Sequence, residues 1–194
     1  GFAVKVQDNV GGATQDIGFN VFGELDTVSL SAYGGSNDVF VATWFDQSGS
    51  GNNATQAASA DRPKIYDGAS GAVITENGKA ALQFDGTNDG FGISAVGAAS
   101  SKFGFITHSV DSSDTAWSLL ADVANTSVIP LAQSGSSSAG VFGYTMNNIY
   151  KDGSSVSPNT RGDIYNAYTS AGQSLTSLDF SGDAVEVLFN RISF

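Results

Sequence analysis

Apolar and polar residues alternate in AVKVQD (Ala3 to Asp8), and a period of two predicts a half-buried β-strand. DVFVATWF (Asp38 to Phe45) is almost continuous in β-branched and aromatic residues, the pattern of a central strand. Between them, GELDTVSLSAYGG predicts the only helix longer than a turn. Asp26 can cap it, Leu25, Val28 and Tyr33 fall near one face, and Gly34 can end it. DRPKIYD (Asp61 to Asp67) is a short extended piece, with Pro63 suited to an edge or a strand start. In AVITENGKAALQFDG, Asn77-Gly78 supplies the positive φ angles of a tight primed turn, so a hairpin is predicted. FGFITHSV, WSLLADV, SVIPLAQS and GVFGYTMN read as further short strands. DAVEVLFNRISF closes the chain, with Val185, Val187 and Phe189 on one face and Glu186 and Leu188 on the other. This last strand is expected to return and pair near the first.

Many short strands separated by Gly/Ser/Asn turns, with one brief helix, predict an all-β sandwich or jelly roll. No fixed-period repeat, linker or composition shift cuts the chain, so one domain spanning 1–194 is expected. The stretch QSGSSSAG (Gln133 to Gly140) reads as an exposed hairpin loop rather than a boundary.

Composition narrows the options. Hydrophobic residues are 41% of the chain and include 13 Phe, enough for a substantial core despite 24 Gly. No run approaches the ~18 apolar residues that cross a bilayer. The first residue is Gly, for which processing or excision from a longer chain is the simplest account. Eight basic residues face 19 acidic ones, a net charge of −11 that repels phosphate backbones and anionic membranes. Neither nucleic acid nor membrane insertion is therefore expected. Charged residues are only 14%, which leaves a surface of Ser, Thr, Asn, Gln and Gly and suits an extracellular or particle-surface module better than a cytosolic enzyme. With no cysteine, disulfides and thiolate metal sites are excluded.

AVKVQDNVGGATQDIGF, followed by GELDTVSLSAYGGSNDVFVATWFDQSGSGNNATQAASADRPKIYD and then ENGKAALQFDGTNDGF, resembles a segment of concanavalin A-like (LamG-like) jelly-roll domains. Such domains occur in bacteriophage virion and tail proteins and in large bacterial surface proteins. The ending FSGDAVEVLFN is similar to their closing strand. The opening half also resembles the start of the catalytic domain of fungal α-L-arabinofuranosidases of the B type, through its Asp-Gln-Ser-Gly turn. The resemblance implies a jelly-roll β-sandwich. It does not by itself imply an activity, because jelly rolls host lectins, hydrolases and inert modules alike.

Asp46 is the first candidate. Followed by Gln-Ser-Gly-Ser-Gly-Asn-Asn, its carboxylate can accept from several backbone N–H groups in a tight turn. Trp44, Asp46, Gly49, Gly51 and Asn53 are thus read as a structural turn, with Trp44 and Phe45 clamping opposite faces of the strand. Glycoside hydrolysis would need a second carboxylate roughly 5–9.5 Å away. The resemblance implies that catalytic carboxylates would lie in the later part of the domain. There Trp117 to Asn147 holds Asp122 and no Glu, and Glu186 sits in the closing strand. The paired cysteines of the fungal enzymes are absent, and no catalytic residue is expected.

Asp85, Asn88 and Asp89 in FDGTNDG form an oxygen-rich loop that could hold Ca²⁺, but the spacing is not an EF-hand's and a plain turn is the preferred reading. No cofactor is otherwise expected. His108 is the only histidine and can form neither a His-based metal cluster nor a convincing triad. Trp117, Tyr144, Asn147, Asn148 and Tyr150 are the best sugar-binding candidates: aromatic faces stack on pyranose C–H surfaces and Asn pairs with hydroxyls, the competing reading being packing at a sheet edge. Arg161-Gly162-Asp163 could present to an integrin-type receptor in a loop, but a three-residue match often arises by chance. The glycosylation patterns at Asn53 and Asn125 matter only in a eukaryotic secretory pathway, which nothing in the sequence indicates.

The expectation is a non-enzymatic structural or adhesive module on a particle surface, with a bacteriophage virion as the favoured setting. Its expected partners are neighbouring virion or surface chains, in a homo-oligomer or larger assembly, and cell-surface glycan bound weakly. The alternatives are a carbohydrate-binding or adhesin domain of a larger bacterial surface protein, and an arabinofuranosidase-like hydrolase.

Overall fold

The computed structural model describes residues 1–96, 102–108, 121–123, 146–156, 166, 174–180 and 185–188. These are mostly β-strands in antiparallel sheets with one α-helix, an all-β architecture. The chain divides into two compact units, Gly1–Phe84 with Asp89–Ser94, and Asp85–Asn88 with Ala95–Phe194.

The first unit is built around β3 (Val39–Trp44). On one side β3 pairs with β1 (Phe2–Asp8), which in turn pairs with β2 (Gln15–Gly18). On its other side it pairs at one end with β4 (Ala54–Thr55) and at the other with β5 (Lys64–Asp67). β6 (Ala72–Val73) extends β5, and β9 (Phe91–Val96) extends β4. The apolar run of β3 reflects this central place. The β1–β3 register shifts where Lys5 faces Thr43 but Val6 faces Val41, so Ala42 is an extra residue in the ladder. That bulge lets Val41 and Ala42 both be buried. Val6, Ile17, Val39, Val41 and Phe91 form the centre of the core.

The helix α1 (Thr27–Gly34) starts at Asp26, whose Oδ1 accepts the Ser29 N–H at 3.1 Å and whose Oδ2 accepts the Ser29 hydroxyl at 2.6 Å. It lies against β2, β5 and β6. Its inward residues are Leu30 and Gly34, and Val28 points into water. The predicted face through Leu25, Val28 and Tyr33 is therefore corrected. Leu25 precedes the helix and bridges to Phe19, and the helix turns toward the tight contact at Gly34. A Cβ on Gly34 would stand 2.6 Å from the Tyr66 ring, and the Tyr66 hydroxyl donates to Gly35 O at 2.9 Å. The chain leaves the helix at Gly35, which has φ +57°. β7 (Thr75–Glu76) and β8 (Lys79–Ala80) form the hairpin around Asn77 and Gly78, whose φ angles are 48° and 75°.

In the second unit, β10 (Lys102–His108), β14 (Ser174–Phe180), β12 (Met146–Lys151) and β13 (Ser154–Ser155) form a four-stranded sheet in that order. Asp152 and Gly153, at φ 49° and 82°, make the primed turn between β12 and β13. Asp152 also fixes the neighbouring strand. Its N–H donates to Leu175 O at 2.9 Å, and its Oδ1 accepts the Leu175 N–H at 2.8 Å. β11 (Ala121–Val123) pairs with β15 (Val185–Leu188). Both edges of β1 are taken, by β2 and β3, and the closing stretch beyond Leu188 lies outside the described residues. The stretches SVIPLAQS and QSGSSSAG lie outside the described residues.

Candidate functional site

β3 ends at Trp44, opposite Val4 and Ala54, both buried, with its own ring half-exposed. The ladder continues one bond further, from Phe45 N–H to Ala3 O at 2.9 Å, and the Phe45 ring lies 6.3 Å from that of Phe2. The chain must then reverse to enter β4. Gly49 and Gly51 take φ angles of 84° and 76°, and a Cβ on either would meet nothing within 4 Å. They are needed for their backbone conformation, not for space.

The Asp46 carboxylate organises this reversal. Oδ1 accepts the Ser48 N–H at 2.7 Å; Oδ2 accepts the Ser48 hydroxyl at 2.8 Å and the Asn52 N–H at 3.0 Å. The Asp46 N–H donates to Asn53 Oδ1 at 2.9 Å, and Ser50 N–H donates to Ser48 Oγ at 3.2 Å. Gln47 Nε2 ties the turn to β1 by donating to Phe2 O at 2.8 Å. The Ser48 N–H, then its hydroxyl, then the Asn52 N–H hold the Asp46 carboxyl below the usual carboxylate range. A group so held is a poor general acid near neutral pH, since it has no proton to give. Both of its oxygens already have donors.

The sugar-binding candidates are only partly visible. Asn147, Asn148 and Tyr150 fall on β12, with Asn148 opposite Asp179 and Tyr150 opposite Ser177. Asn147 is the extra residue where the β12–β14 register shifts between Met146 and Asn148. Tyr150 is half-buried. Trp117 and Tyr144 lie outside the described residues, as do Arg161-Gly162-Asp163 and Asn125.

Asp85 Oδ1 accepts the Thr87 N–H at 2.8 Å and the Asn88 N–H at 3.2 Å, and Asp89 is buried. Among the described residues no group of three His, Cys, Asp or Glu could hold a metal ion. His108 ends β10 opposite Ser174. Asp122 faces Val187 across the β11–β15 pair, and Glu186 falls where that register shifts. The two acids thus share one strand pair.

Two features went unread in the sequence. Arg62 clamps the first unit, donating to Gln7 Oε1 at 2.6 Å, Gln56 O at 2.9 Å and Ala57 O at 2.9 Å. The connection from β2 to α1 is a tight turn around Asn20, for which the only sequence signal is Asn followed three residues later by Gly. No helix among the described residues is long and apolar enough to cross a membrane. No family model, curated protein or solved structure matches the chain.

Proposed function

We propose that this chain is a non-enzymatic structural or adhesive module: a jelly-roll β-sandwich of the concanavalin A-like kind, displayed on a particle surface. Its setting is a bacteriophage virion, as a decoration, fibre or tail-associated protein. It contacts neighbouring chains and holds cell-surface glycan weakly. The observation that supports the non-catalytic reading is the engagement of Asp46, whose two carboxylate oxygens accept three hydrogen bonds from its own turn. The low-charge surface, with 14% charged residues and a net charge of −11, fits outward display better than work on phosphate-bearing partners. Particles assembled with and without the chain test this, with integrity and host adhesion as readouts, alongside a glycan array of the isolated protein. Loss of integrity or of adhesion is expected; retention of both contradicts the proposal.

One observation favours a second reading, an arabinofuranosidase-like hydrolase: Asp122 and Glu186 come onto the same strand pair. Glycoside hydrolysis uses two carboxyl groups. Turnover of an aryl arabinofuranoside, abolished by Asp122→Asn or Glu186→Gln, would establish it.

A further inference from the structure

Four of the eight large hydrophobic residues exposed among the described residues come from one ten-residue stretch, Phe19 to Val28. Val21 is 93% exposed, Phe22 83%, Val28 78% and Phe19 41%. This stretch is tightly tied. Asn20 Oδ1 accepts the Phe22 N–H at 2.9 Å and the Glu24 N–H at 3.0 Å. The Asn20 N–H donates to Glu24 O at 2.7 Å, and the Gly23 N–H to Asn20 O at 3.0 Å. Below the turn Phe19 bridges Leu25, and the Asp26 N–H donates to Gly18 O at 3.0 Å. Lys79 pairs with Glu24 from the β7–β8 hairpin.

Two consequences follow. A turn already fixed in place loses little further entropy on docking. Four of its backbone N–H groups, those of Asn20, Phe22, Gly23 and Glu24, have partners inside the turn, so burying it leaves those donors satisfied.

Taking roughly 200 Å² for a Phe side chain and somewhat less for Val, the four leave on the order of 500 Å² of apolar surface in water. That sum falls within the range of the largest apolar patch on a typical monomer, which is often functional. Two such patches facing each other would bury about 1,000 Å² in all, the level at which specific interfaces begin. Of the two acids at the patch, Glu24 carries its counter-ion Lys79 within the same copy, while Asp26, bonded to the neutral Ser29, keeps its charge and adds to the repulsion between copies.

We infer that the Phe19–Val28 surface pairs with the same surface of a second copy of this chain, forming a twofold dimer. The pairing holds whether or not the chain sits on a virion. Because each copy carries −11 overall, the copies repel at long range, and salt strengthens the dimer by screening.

Sedimentation equilibrium of the full chain, at about 0.05 M and about 0.5 M NaCl, tests this. Wild type is expected to dimerise, more tightly at the higher salt. The Val21→Ser/Phe22→Ser double variant should weaken the dimer by at least about tenfold with an unchanged circular dichroism spectrum. Val28→Ser, on the helix rather than the turn, should weaken it by a smaller factor. A wild-type monomer at all concentrations overturns the inference, as does a dimer indifferent to these substitutions or weakened by salt. So does a monomer that instead binds phosphatidylcholine vesicles through Val21 and Phe22.

Discussion

Asn53 accepts the Asp46 N–H at 2.9 Å through its side-chain oxygen, while the Asp46 carboxylate accepts the neighbouring Asn52 N–H at 3.0 Å. The reversal between β3 and β4 is thus tied twice across its mouth. Removing the Asn53 side chain (Asn53→Ala) leaves the Asp46 N–H without that acceptor. Hydrogen exchange at the Asp46 amide should quicken by about tenfold or more, with little change in exchange within β1. Exchange at the wild-type rate would show that the bond does not form in solution.

Gly68 sits where the chain passes the α1–β3 connection, and its N–H donates to Asp38 Oδ1 at 2.9 Å. A Cβ there would stand 2.4 Å from Asn37 C and 2.5 Å from Ser36 O, both backbone atoms that cannot rotate away. Gly68→Ala should cost at least about 1–3 kcal/mol, as overpacking does. Denaturant unfolding checks this, and a loss within about 0.5 kcal/mol, the range of surface substitutions, would contradict it.

Leu30 is the fully buried side chain through which α1 reaches the core. Leu30→Ala should destabilise the protein by about 2–5 kcal/mol through lost burial and the cavity left behind. A change within about 0.5 kcal/mol, the range of surface substitutions, would mean that α1 does not pack as described.

Among the described residues, four carboxyls lie below their ordinary range. The cause is Ser48 for Asp46, Ser29 for Asp26, Ser70 for Asp67 and Lys79 for Glu24. A depressed folded-state value stabilises above the unfolded value of about 4, and the stabilisation is lost as pH falls through the folded value. In about 0.5 M salt, which screens the general repulsion among acids, Tm should hold from about pH 7 to 5 and fall below about pH 4. A Tm that climbs steadily to about pH 3 would show that repulsion, not these bonds, dominates.

Strand pairing was legible where side chains carry their own preference. The unbroken apolar run of Val39–Trp44 becomes the most heavily paired strand of its unit, and Asn77-Gly78 turns with the positive φ its residues allow. β14 was not legible. Its sequence SLTSLDF has no clean alternation, and its place between β10 and β12 comes from its neighbours. In α1, an eight-residue helix, Val28 and Leu30 are equally apolar, and only the close approach of Gly34 to Tyr66 decides which one turns inward. At the candidate site, turn-forming residues follow Trp44 in the sequence, but which N–H groups reach Asp46 depends on backbone angles at Gly49 and Gly51 that sequence alone does not specify.

The most direct test of Asp46 as a structural rather than a chemical group pairs two readouts on one variant. Asp46→Asn should lower Tm and speed exchange of the Ser48 and Asn52 amides, while neither it nor wild type hydrolyses an aryl arabinofuranoside. Wild-type turnover abolished by Asp46→Asn, with Tm and exchange unchanged, would contradict the account.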